Sequence, residues 1–290
     1  MRKWLSNIIR RLSGQQNLER QLRYQAALVQ HLLPPVLQLD PDLTLRAQQM
    51  LKREYNIEVI KLDVHKNDIM FHYHLLQLEG KLLPALYSHF AVGARFTSVL
   101  SKLLQELQFV PKKIFDFGSG YGRASRFYPF FWPEAEIVVS DVKTEALRFQ
   151  KDNFGFGTIE HGEQPEKIAT GQPDLIIALS VFTHLREDHA RAWLIILLEQ
   201  LAPGGMLIFS FNDVTDYQGR SKGGFAYLLH SEDDYFPHIG NSLAESQEYG
   251  HAYMSRAFIK EVVGQNWKST FLDNRLTPAQ KTVLIQRRDD

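Results

Sequence analysis

The chain has 290 residues, of which 33 are basic and 33 acidic, so its formal net charge is zero. A chain without net positive charge lacks the main sequence signature of a nucleic-acid-binding protein, because no overall field attracts a phosphate backbone. Hydrophobic residues at 44% and charged residues at 23% exclude a disordered chain and an integral membrane protein. The absence of cysteine excludes disulfides, thiolate metal sites and a cysteine nucleophile.

The first 33 residues form a basic segment with a helical pattern. Six of them are Arg or Lys, whereas Glu19 is the only acidic residue, and apolar side chains recur at helical spacing between Trp4 and Leu12. We expect this helix to pack against the rest of the chain or against a second subunit. The alternative is that residues 1–23 lie on an anionic membrane surface.

The sequence also predicts a soluble, cytoplasmic protein. Arg10 and Arg11 interrupt the N-terminal apolar run before it reaches the length of a signal-peptide core. Apolar runs such as residues 193–198 are far shorter than the roughly 20 residues that span a bilayer.

Changes in composition divide the chain into three zones. These are a helical N-terminal extension at 1–60, a helical cap at 61–112 and an α/β domain at 113–290. Within the extension, Asp40 followed by Pro41 predicts the start of a helix, because an acidic N-cap and a proline at the first helical position favour one.

From residue 113 onwards, short apolar runs alternate with amphipathic helical patterns. Continuous apolar runs that are separated by helices are typical of a parallel sheet covered on both faces. The predicted strands are 114–117, 136–140, 158–160, 174–179 and 206–211, and the predicted helices between them are 123–131, 144–153 and 188–201.

The C-terminal segment predicts an antiparallel strand pair. After a helix that begins at Ser255 and is closed by Gly264, two apolar runs at 267–272 and 282–286 can pair as a hairpin at the sheet edge. The expected fold is therefore α/β, with a Rossmann-like, mostly parallel seven-stranded sheet and an antiparallel C-terminal edge hairpin. The insert at 212–252 is expected to be irregular, and connections of that length are typical of lids and binding elements.

The most informative segment is DFGSGYG at residues 116–122, between the first predicted strand and the next helix. Its three alternating glycines allow a sharp turn and let a ligand approach the backbone. Asp141 directly follows the second strand, 19 positions after Gly122. An acid at this place can accept hydrogen bonds from both ribose hydroxyls of an adenosine-containing ligand. The pattern therefore predicts nucleoside binding at the carboxyl ends of parallel strands.

The kind of nucleoside ligand depends on Asp116, two positions before the first glycine. Dinucleotide-binding proteins use the spacing G-x-G-x-x-G and hold a pyrophosphate at a helix N-terminus, whereas this sequence has G-x-G-x-G. A carboxylate would repel a pyrophosphate, but it suits a ligand with a cationic amino group, such as the methionine portion of S-adenosylmethionine. A nicotinamide-dependent oxidoreductase stays open as the alternative enzyme class.

Four segments between residues 113 and 211 resemble, in order, those of the class I S-adenosylmethionine-dependent methyltransferases: IFDFGSGYGRAS, VVSD, DLIIALSVFTHL and LAPGGMLIFSF. The C-terminal hairpin resembles the antiparallel edge of the same fold. The resemblance implies an S-adenosylmethionine-dependent methyltransferase, with S-adenosyl-L-methionine as its cofactor. A non-catalytic scaffold that keeps the S-adenosylmethionine-binding fold is a further alternative.

The resemblance also implies which residues bind the donor. Asp116 and the glycine backbone would surround the methionine portion, Asp141 would hold the ribose, and Ser180 would line the floor beneath the sulfonium. Many family members have an acid after the third strand that meets the adenine amino group, and Glu163 lies in that region here. The expected cofactor-binding residues are Asp116, Gly118, Ser119, Gly120, Gly122, Asp141, Val142, Glu163 and Ser180.

His184, just beyond the fourth strand, is the candidate catalytic residue. A histidine with a pKa near its reference value of about 6.5 can accept a proton at neutral pH. A base is needed only if the methyl acceptor is a hydroxyl or a protonated amine. The other interpretation is that His184 holds its loop or the donor pocket through hydrogen bonds.

The methyl acceptor is expected to be a small polar molecule or a glycan, with oxygen narrowly favoured as the acceptor atom. The insert at 212–252 is rich in Tyr, His and basic residues, a mixture that suits a polar acceptor. Residues 67–96 are expected to form the opposite wall of the cleft. The candidates there are Asn67, Asp68, Met70 and Tyr73. We expect neither a nucleic-acid partner nor a metal site, because no ligand spacing such as H-E-x-x-H occurs.

Overall fold

The computed structural model describes residues 34–58, 61–217, 223–229, 250–273, 275–277 and 280–287. The predicted membrane or subunit contacts of residues 1–23 lie outside the described residues, as does much of the insert at 212–252. Among the described residues, no helix combines the length and the apolar character needed to cross a membrane.

The described ranges contain seven α-helices and nine strands. The helices are α1 (Pro41–Tyr55), α2 (Ile69–Gln77), α3 (Leu82–Glu106), α4 (Tyr128–Phe131), α5 (Thr144–Phe154), α6 (Glu187–Gln200) and α7 (Arg256–Val263). The strands are β1 (Lys113–Phe117), β2 (Glu136–Asp141), β3 (Gly157–Glu160), β4 (Leu175–Ala178), β5 (Met206–Asp213), β6 (Phe225–Leu229), β7 (Gly250–Met254), β8 (Trp267–Phe271) and β9 (Lys281–Arg287).

The main sheet has the predicted topology. Five parallel strands lie in the order β3-β2-β1-β4-β5. Strand β9 pairs antiparallel with β5, and β8 pairs antiparallel with β9 at the edge. The prediction of a mostly parallel seven-stranded sheet with an antiparallel C-terminal hairpin is therefore confirmed.

Helices cover both faces of this sheet because consecutive strand residues point to opposite sides. On β1, Phe115 belongs to the apolar cluster that contains α6 and α7 residues, whereas Ile114 belongs to the cluster formed with α3 and α4. Both side chains are fully buried. This burial on both faces explains the continuous apolar character of the strand sequences.

The insert is more regular than predicted. Strands β6 and β7 form an antiparallel pair, and the end of β5 continues into this small sheet through Asn212 and Asp213, which pair in parallel with β7. The expectation of an irregular stretch throughout 212–252 is therefore wrong for these strands. They form because one face of the pair, including Phe225 and Met254, is buried in the same cluster as α6.

The helix predicted at 123–131 is much shorter. Residues Ser125–Phe127 form one turn of 3₁₀-helix, and α4 begins only at Tyr128. Pro129 lies at the start of α4. Because proline lacks an N–H and clashes with the preceding turn, it is tolerated in the first turn of a helix but not in its interior.

The helical cap packs on the core through α3. Helices α1, α2 and α3 share one apolar cluster, to which Phe127 of the core also belongs. The predicted start of α1 is confirmed, since Asp40 caps it by accepting a hydrogen bond from the Asp42 N–H. The backbones of α3 and the core approach each other closely at Gly93, where a Cβ atom would lie only 1.9 Å from the Arg123 carbonyl oxygen.

Candidate functional site

A cavity of about 380 Å³ lies where β1, β2 and β4 end, with the N-terminus of α2 on its opposite side. Nine of the ten residues expected at a donor or catalytic site line it. They are Asp116, Gly118, Ser119, Gly120, Asp141, Val142, Glu163, Ser180 and His184. Folding thus brings together residues that are up to 68 positions apart in the chain.

The tenth residue, Gly122, does not line the cavity. A Cβ atom there would lie 2.9 Å from Gln150 Oε1 and 3.1 Å from the Phe154 ring, so this glycine permits close packing against α5. Gly120 differs, because a Cβ atom on it would meet nothing within 4 Å. The backbone at Gly120 therefore faces open space that a ligand can occupy.

Gln150, which sequence reasoning missed, holds the glycine loop in shape. Its fully buried side chain donates to Ser119 Oγ at 2.7 Å and to the Gly120 carbonyl at 2.8 Å. Its Oε1 accepts a 2.6 Å hydrogen bond from Ser125 Oγ. Because all these groups are buried or partly buried, α5 determines the conformation of the loop as much as the glycines do.

Asp116 is a buried carboxyl group at the base of the cavity. Tyr128 donates a 2.9 Å hydrogen bond to its Oδ2. Burial raises the pKa of Asp116 from 3.8 to about 7; the nearby Asp141 also raises it, and the Tyr128 hydrogen bond only partly offsets both effects. A cation bound beside Asp116 would favour its charged form.

Asp141 is oriented by two backbone amides at the end of β2. Its Oδ2 accepts from the Gly120 N–H at 2.8 Å, and its Oδ1 accepts from the Lys143 N–H at 2.9 Å. Each carboxylate oxygen has two lone pairs. Asp141 can therefore link the glycine loop to β2 and still accept hydrogen bonds from a ligand's hydroxyl groups.

Ser180 lines the cavity and has a left-handed backbone conformation, with φ 61°. This conformation is uncommon for a residue with a Cβ atom. The Ser180 N–H donates to Ser210 Oγ at 2.7 Å, and its hydroxyl donates to Gln280 Oε1 at 3.0 Å. Gln280, from the segment preceding β9, also lines the cavity and was not anticipated from the sequence.

The β6–β7 pair fixes the orientation of His184. Its ring Nδ1 lies 2.9 Å from the Gly250 carbonyl oxygen. Because a carbonyl accepts but cannot donate, this contact requires a proton on Nδ1, and a neutral ring then has its lone pair on Nε2. The same strands hold the loop through the Ala252 N–H, which donates to the Thr183 carbonyl at 2.8 Å.

Of the two cavity-lining residues His161 and Glu163, which follow β3, His161 is buried and the predicted Glu163 is not. The His161 ring stacks on Phe117 with a centroid distance of 4.7 Å and lies 5.2 Å from the Trp193 ring. Glu163 is exposed at the cavity edge. The sequence signal for His161 was only its position after β3, since local pattern does not show which side chain turns inward.

The cap contributes the opposite wall, as predicted, but with a different set of residues. Asp68, Ile69 and Met70 line the cavity, whereas the candidates Asn67 and Tyr73 do not. Asp68 caps α2, because its Oδ1 accepts from the Met70 and Phe71 N–H groups. Its Oδ2 lies 3.3 Å from Nε2 of the buried His89.

Sequence comparison finds neither a family model nor a curated protein that matches this chain. Comparison of structures does find similar folds. An S-adenosylmethionine-dependent methyltransferase from Clostridium acetobutylicum ATCC 824 is 13% identical, with 75% of this chain and 99% of that chain covered and a TM-score of 0.50. A proposed O-methyltransferase from Nostoc punctiforme PCC 73102 is 14% identical, with 90% and 72% covered and a TM-score of 0.51.

A third similar structure is DesVI of Streptomyces venezuelae, which is 9% identical, with 75% of this chain and 98% of that chain covered and a TM-score of 0.50. Identities this low show a shared fold and nothing finer. The chain has the fold of the class I S-adenosylmethionine-dependent methyltransferases.

Proposed function

We propose that this chain, which has the class I methyltransferase fold, transfers a methyl group from S-adenosylmethionine to a small polar molecule or a glycan. The observation that carries the proposal is the convergence of Asp116, the open Gly120 backbone and Asp141 on one cavity at the strand ends. The resemblance of the sequence motifs and the shared fold agree with this placement.

The residues present suit the three parts of the donor. The carboxyl group of Asp116 is buried and can offset the charge of an α-ammonium group, Asp141 can accept from the ribose hydroxyls, and Val142 lines the cavity beside it. Glu163, which is exposed and also lines the cavity, offers an acceptor for an adenine amino group.

A nicotinamide-dependent oxidoreductase fits this cavity less well. A pyrophosphate along the glycine loop would lie near Asp116 and Asp141, and two carboxyl groups would oppose its negative charge. The antiparallel strand β9 beside β5 also agrees with the methyltransferase fold. The second alternative, a scaffold without catalysis, predicts donor binding but no methyl transfer to any acceptor.

S-adenosylmethionine, when bound, would supply a methyl group already activated by its sulfonium. The chain's own residues then have to align the acceptor with that methyl group and exclude water. We assign His184 as the base that takes the proton of an acceptor hydroxyl at Nε2, because the Gly250 carbonyl holds the proton on Nδ1. Oxygen as the acceptor atom agrees with the description of the Nostoc punctiforme protein as a proposed O-methyltransferase.

Thermal unfolding with S-adenosylmethionine, S-adenosylhomocysteine or NAD tests the donor assignment. A ligand at about 100 times its dissociation constant adds about 2.7 kcal/mol to the free energy of unfolding. We expect stabilisation of the wild type by the first two ligands, its loss in Asp141→Ala, and its retention in the control Asp152→Ala, whose side chain is exposed on α5. Stabilisation by NAD alone would contradict the proposal. Unchanged stability of the wild type with all three ligands would contradict it as well.

A further inference from the structure

Glu145, in the first turn of α5, joins three side chains from two parts of the chain. Its Oε1 lies 3.4 Å from Nε2 of His65, and its Oε2 accepts a 2.8 Å hydrogen bond from Asn67 Nδ2. The same Oε2 accepts a 3.3 Å hydrogen bond from the Tyr121 hydroxyl. His65 and Asn67 belong to the segment that leads into α2, whereas Tyr121 belongs to the glycine loop. One carboxylate therefore connects the helical cap to the loop of the candidate donor site.

His65 also packs directly on the glycine loop. Its ring stacks on the Tyr121 ring, with a centroid distance of 4.7 Å and an angle of 11° between the two planes. Both side chains are buried, and Tyr121 lines the cavity. A displacement of His65 would therefore remove the packing that supports one of the residues around the cavity.

Hydrogen bonding determines which nitrogen of His65 carries the proton. Its Nδ1 accepts a 3.1 Å hydrogen bond from the Asn67 backbone N–H. A ring nitrogen that accepts carries no proton, so the proton of the neutral ring is on Nε2, the nitrogen beside Glu145. Burial lowers the pKa of His65; the attraction of Glu145 and Asp68 only partly offsets this effect, and Lys66 adds to it. The neutral ring therefore binds the cap backbone at one nitrogen and presents an N–H to Glu145 at the other.

These contacts fix the start of α2, which forms the opposite wall of the cavity. Asn67 donates through its backbone to His65 and through its side chain to Glu145. The next residue, Asp68, caps α2 and lines the cavity together with the first turn of this helix. Asn67, which the sequence predicted in the cavity wall, therefore lies behind that wall and supports it.

The earlier part of this segment has anchors that do not depend on Glu145. Arg126 donates to the Lys61 and Asp63 carbonyls at 3.1 and 2.9 Å, and the Leu37 N–H donates to the Val64 carbonyl at 2.9 Å. Helices α1, α2 and α3 also share one apolar cluster. Loss of the Glu145 carboxylate should therefore release residues 65–70 locally and leave the rest of the cap in place.

We propose that Glu145 is a positioning residue, which holds the start of α2 against the glycine loop and thereby slows the release of a ligand from the cavity. The inference rests on the proposed function, since the ligand is the methyl donor or its product. The cavity lies between the glycine loop and α2, so separation of these two walls widens the way out. A protein that already has the binding-competent arrangement also binds more tightly than one in which only a fraction of the molecules has it.

Stopped-flow binding of S-adenosylhomocysteine tests the effect on the ligand. Glu145→Leu removes the carboxylate but keeps a helix-forming side chain, and we expect its affinity to fall roughly 3- to 10-fold, mainly through faster release. The effect stays moderate because Glu145 is exposed, so water replaces part of its interactions. Glu145→Gln, which keeps one acceptor oxygen, should recover part of the loss. Glu187→Leu is the matched control, because Glu187 is also exposed in the first turn of a helix but contacts Arg191.

Hydrogen exchange of the ligand-free protein, followed by mass spectrometry, tests the position of α2 separately. We expect the amides of residues 67–71 to exchange roughly 3- to 10-fold faster in Glu145→Leu, with unchanged exchange in α7. Asn67→Ala removes one of the same hydrogen bonds from the side of the cap and should act in the same direction. Because the two variants share this hydrogen bond, their effects on exchange and on ligand release should be less than additive in the double variant.

Three results would overturn the assignment of Glu145. They are an unchanged rate of ligand release in Glu145→Leu, an equal change of that rate in Glu187→Leu, and faster exchange in α7 as well as at residues 67–71. The last result would show a loss of overall stability in place of a local release of the cap. A wild type that does not bind S-adenosylhomocysteine would contradict the proposed function, whereas equal binding by the wild type and Glu145→Leu would contradict only the positioning role.

Discussion

Tyr128 donates a 2.9 Å hydrogen bond to Asp116 Oδ2, and both side chains are buried beneath the glycine loop. The hydrogen bond favours the ionised carboxylate, but burial and the nearby Asp141 outweigh it and raise the pKa of Asp116 to about 7. Near neutral pH, a proton therefore occupies Asp116 in about half of the free protein molecules. A cationic ligand beside this group has to displace that proton before the full charge interaction forms.

Donor affinity should therefore rise with pH up to about 7, where Asp116 becomes ionised without help from the ligand. Below that pKa, release of one proton on binding gives up to a tenfold change in affinity per pH unit. Titration of S-adenosylhomocysteine between about pH 5.5 and 7.5 measures this slope. Asp116→Asn should bind more weakly and without the slope; a slope that persists in Asp116→Asn would show that another group carries the proton.

The same pKa has an effect of opposite sign on folding. Because Asp116 is more readily protonated in the folded chain than at its ordinary value of 3.8, the folded state binds more protons between about pH 4 and 7. The stability contribution of this group is fully present below about pH 4 and is lost as the pH rises to about 7. Urea unfolding of Asp116→Asn, compared with wild type, should show a weaker fall in stability across this range.

Replacing Gln150 should loosen the glycine loop. Gln150→Leu removes three hydrogen bonds and leaves Gly120 and Ser119 without a buried donor, so we expect a loss of roughly 2–5 kcal/mol in the free energy of unfolding. Donor affinity should fall as well. Urea unfolding and S-adenosylhomocysteine titration measure both, with the exposed Gln105→Leu as control. Wild-type affinity in a folded Gln150→Leu would contradict a positioning role.

The parts of the site that follow strands directly could be predicted from the sequence. Asp116 and Asp141 lie at the ends of β1 and β2, and parallel strands end at the same sheet edge, so short-range pattern sufficed to bring them together. Gln150 could not be found in this way, because it lies on α5, 30 positions after Gly120, and only the fold brings its side chain to the Gly120 carbonyl. Gly122 matched the local pattern of its neighbours but packs against α5, which only the fold reveals.

The outer elements were harder to predict for a related reason. Strand β6 is short and has two exposed leucines, so neither alternation nor continuous apolar character marks it clearly. Its strand conformation depends on pairing with β7 and on burial against α6, both of which are long-range interactions. The contact of Gly250 with His184 depends on that pairing in turn.

Gly93→Ala should destabilise the chain although alanine is the better helix former. The helix propensity of alanine is worth about 1 kcal/mol over glycine. However, the new Cβ atom would lie 1.9 Å from the Arg123 carbonyl oxygen and 2.9 Å from the Ala124 Cα, neither of which can move as a side chain would. We expect a net loss of about 1–3 kcal/mol by urea unfolding. Arg95→Ala, exposed on the same helix, is the control; a stabilised Gly93→Ala would contradict the close packing.

His184→Gln should slow methyl transfer while leaving the donor site intact. Loss of a general base lowers kcat by roughly 100- to 10,000-fold, whereas S-adenosylhomocysteine affinity should change by less than about twofold. The variant should also lose the acidic limb that a titrating general base gives to a pH–rate profile. Transfer of labelled methyl groups to a panel of hydroxyl-bearing metabolites and sugars measures the rate, and His189→Gln, in the same cavity wall, is the control. An unchanged acidic limb would assign His184 to holding the loop.

The donor site is tested most directly by a crystal structure of the chain with S-adenosylhomocysteine bound. We expect the ribose hydroxyls within hydrogen-bond distance of Asp141, the amino-acid portion along Gly118 and Gly120, and its amino group beside Asp116. Ligand density away from the glycine loop, or a ribose that contacts neither oxygen of Asp141, would contradict the proposed donor site.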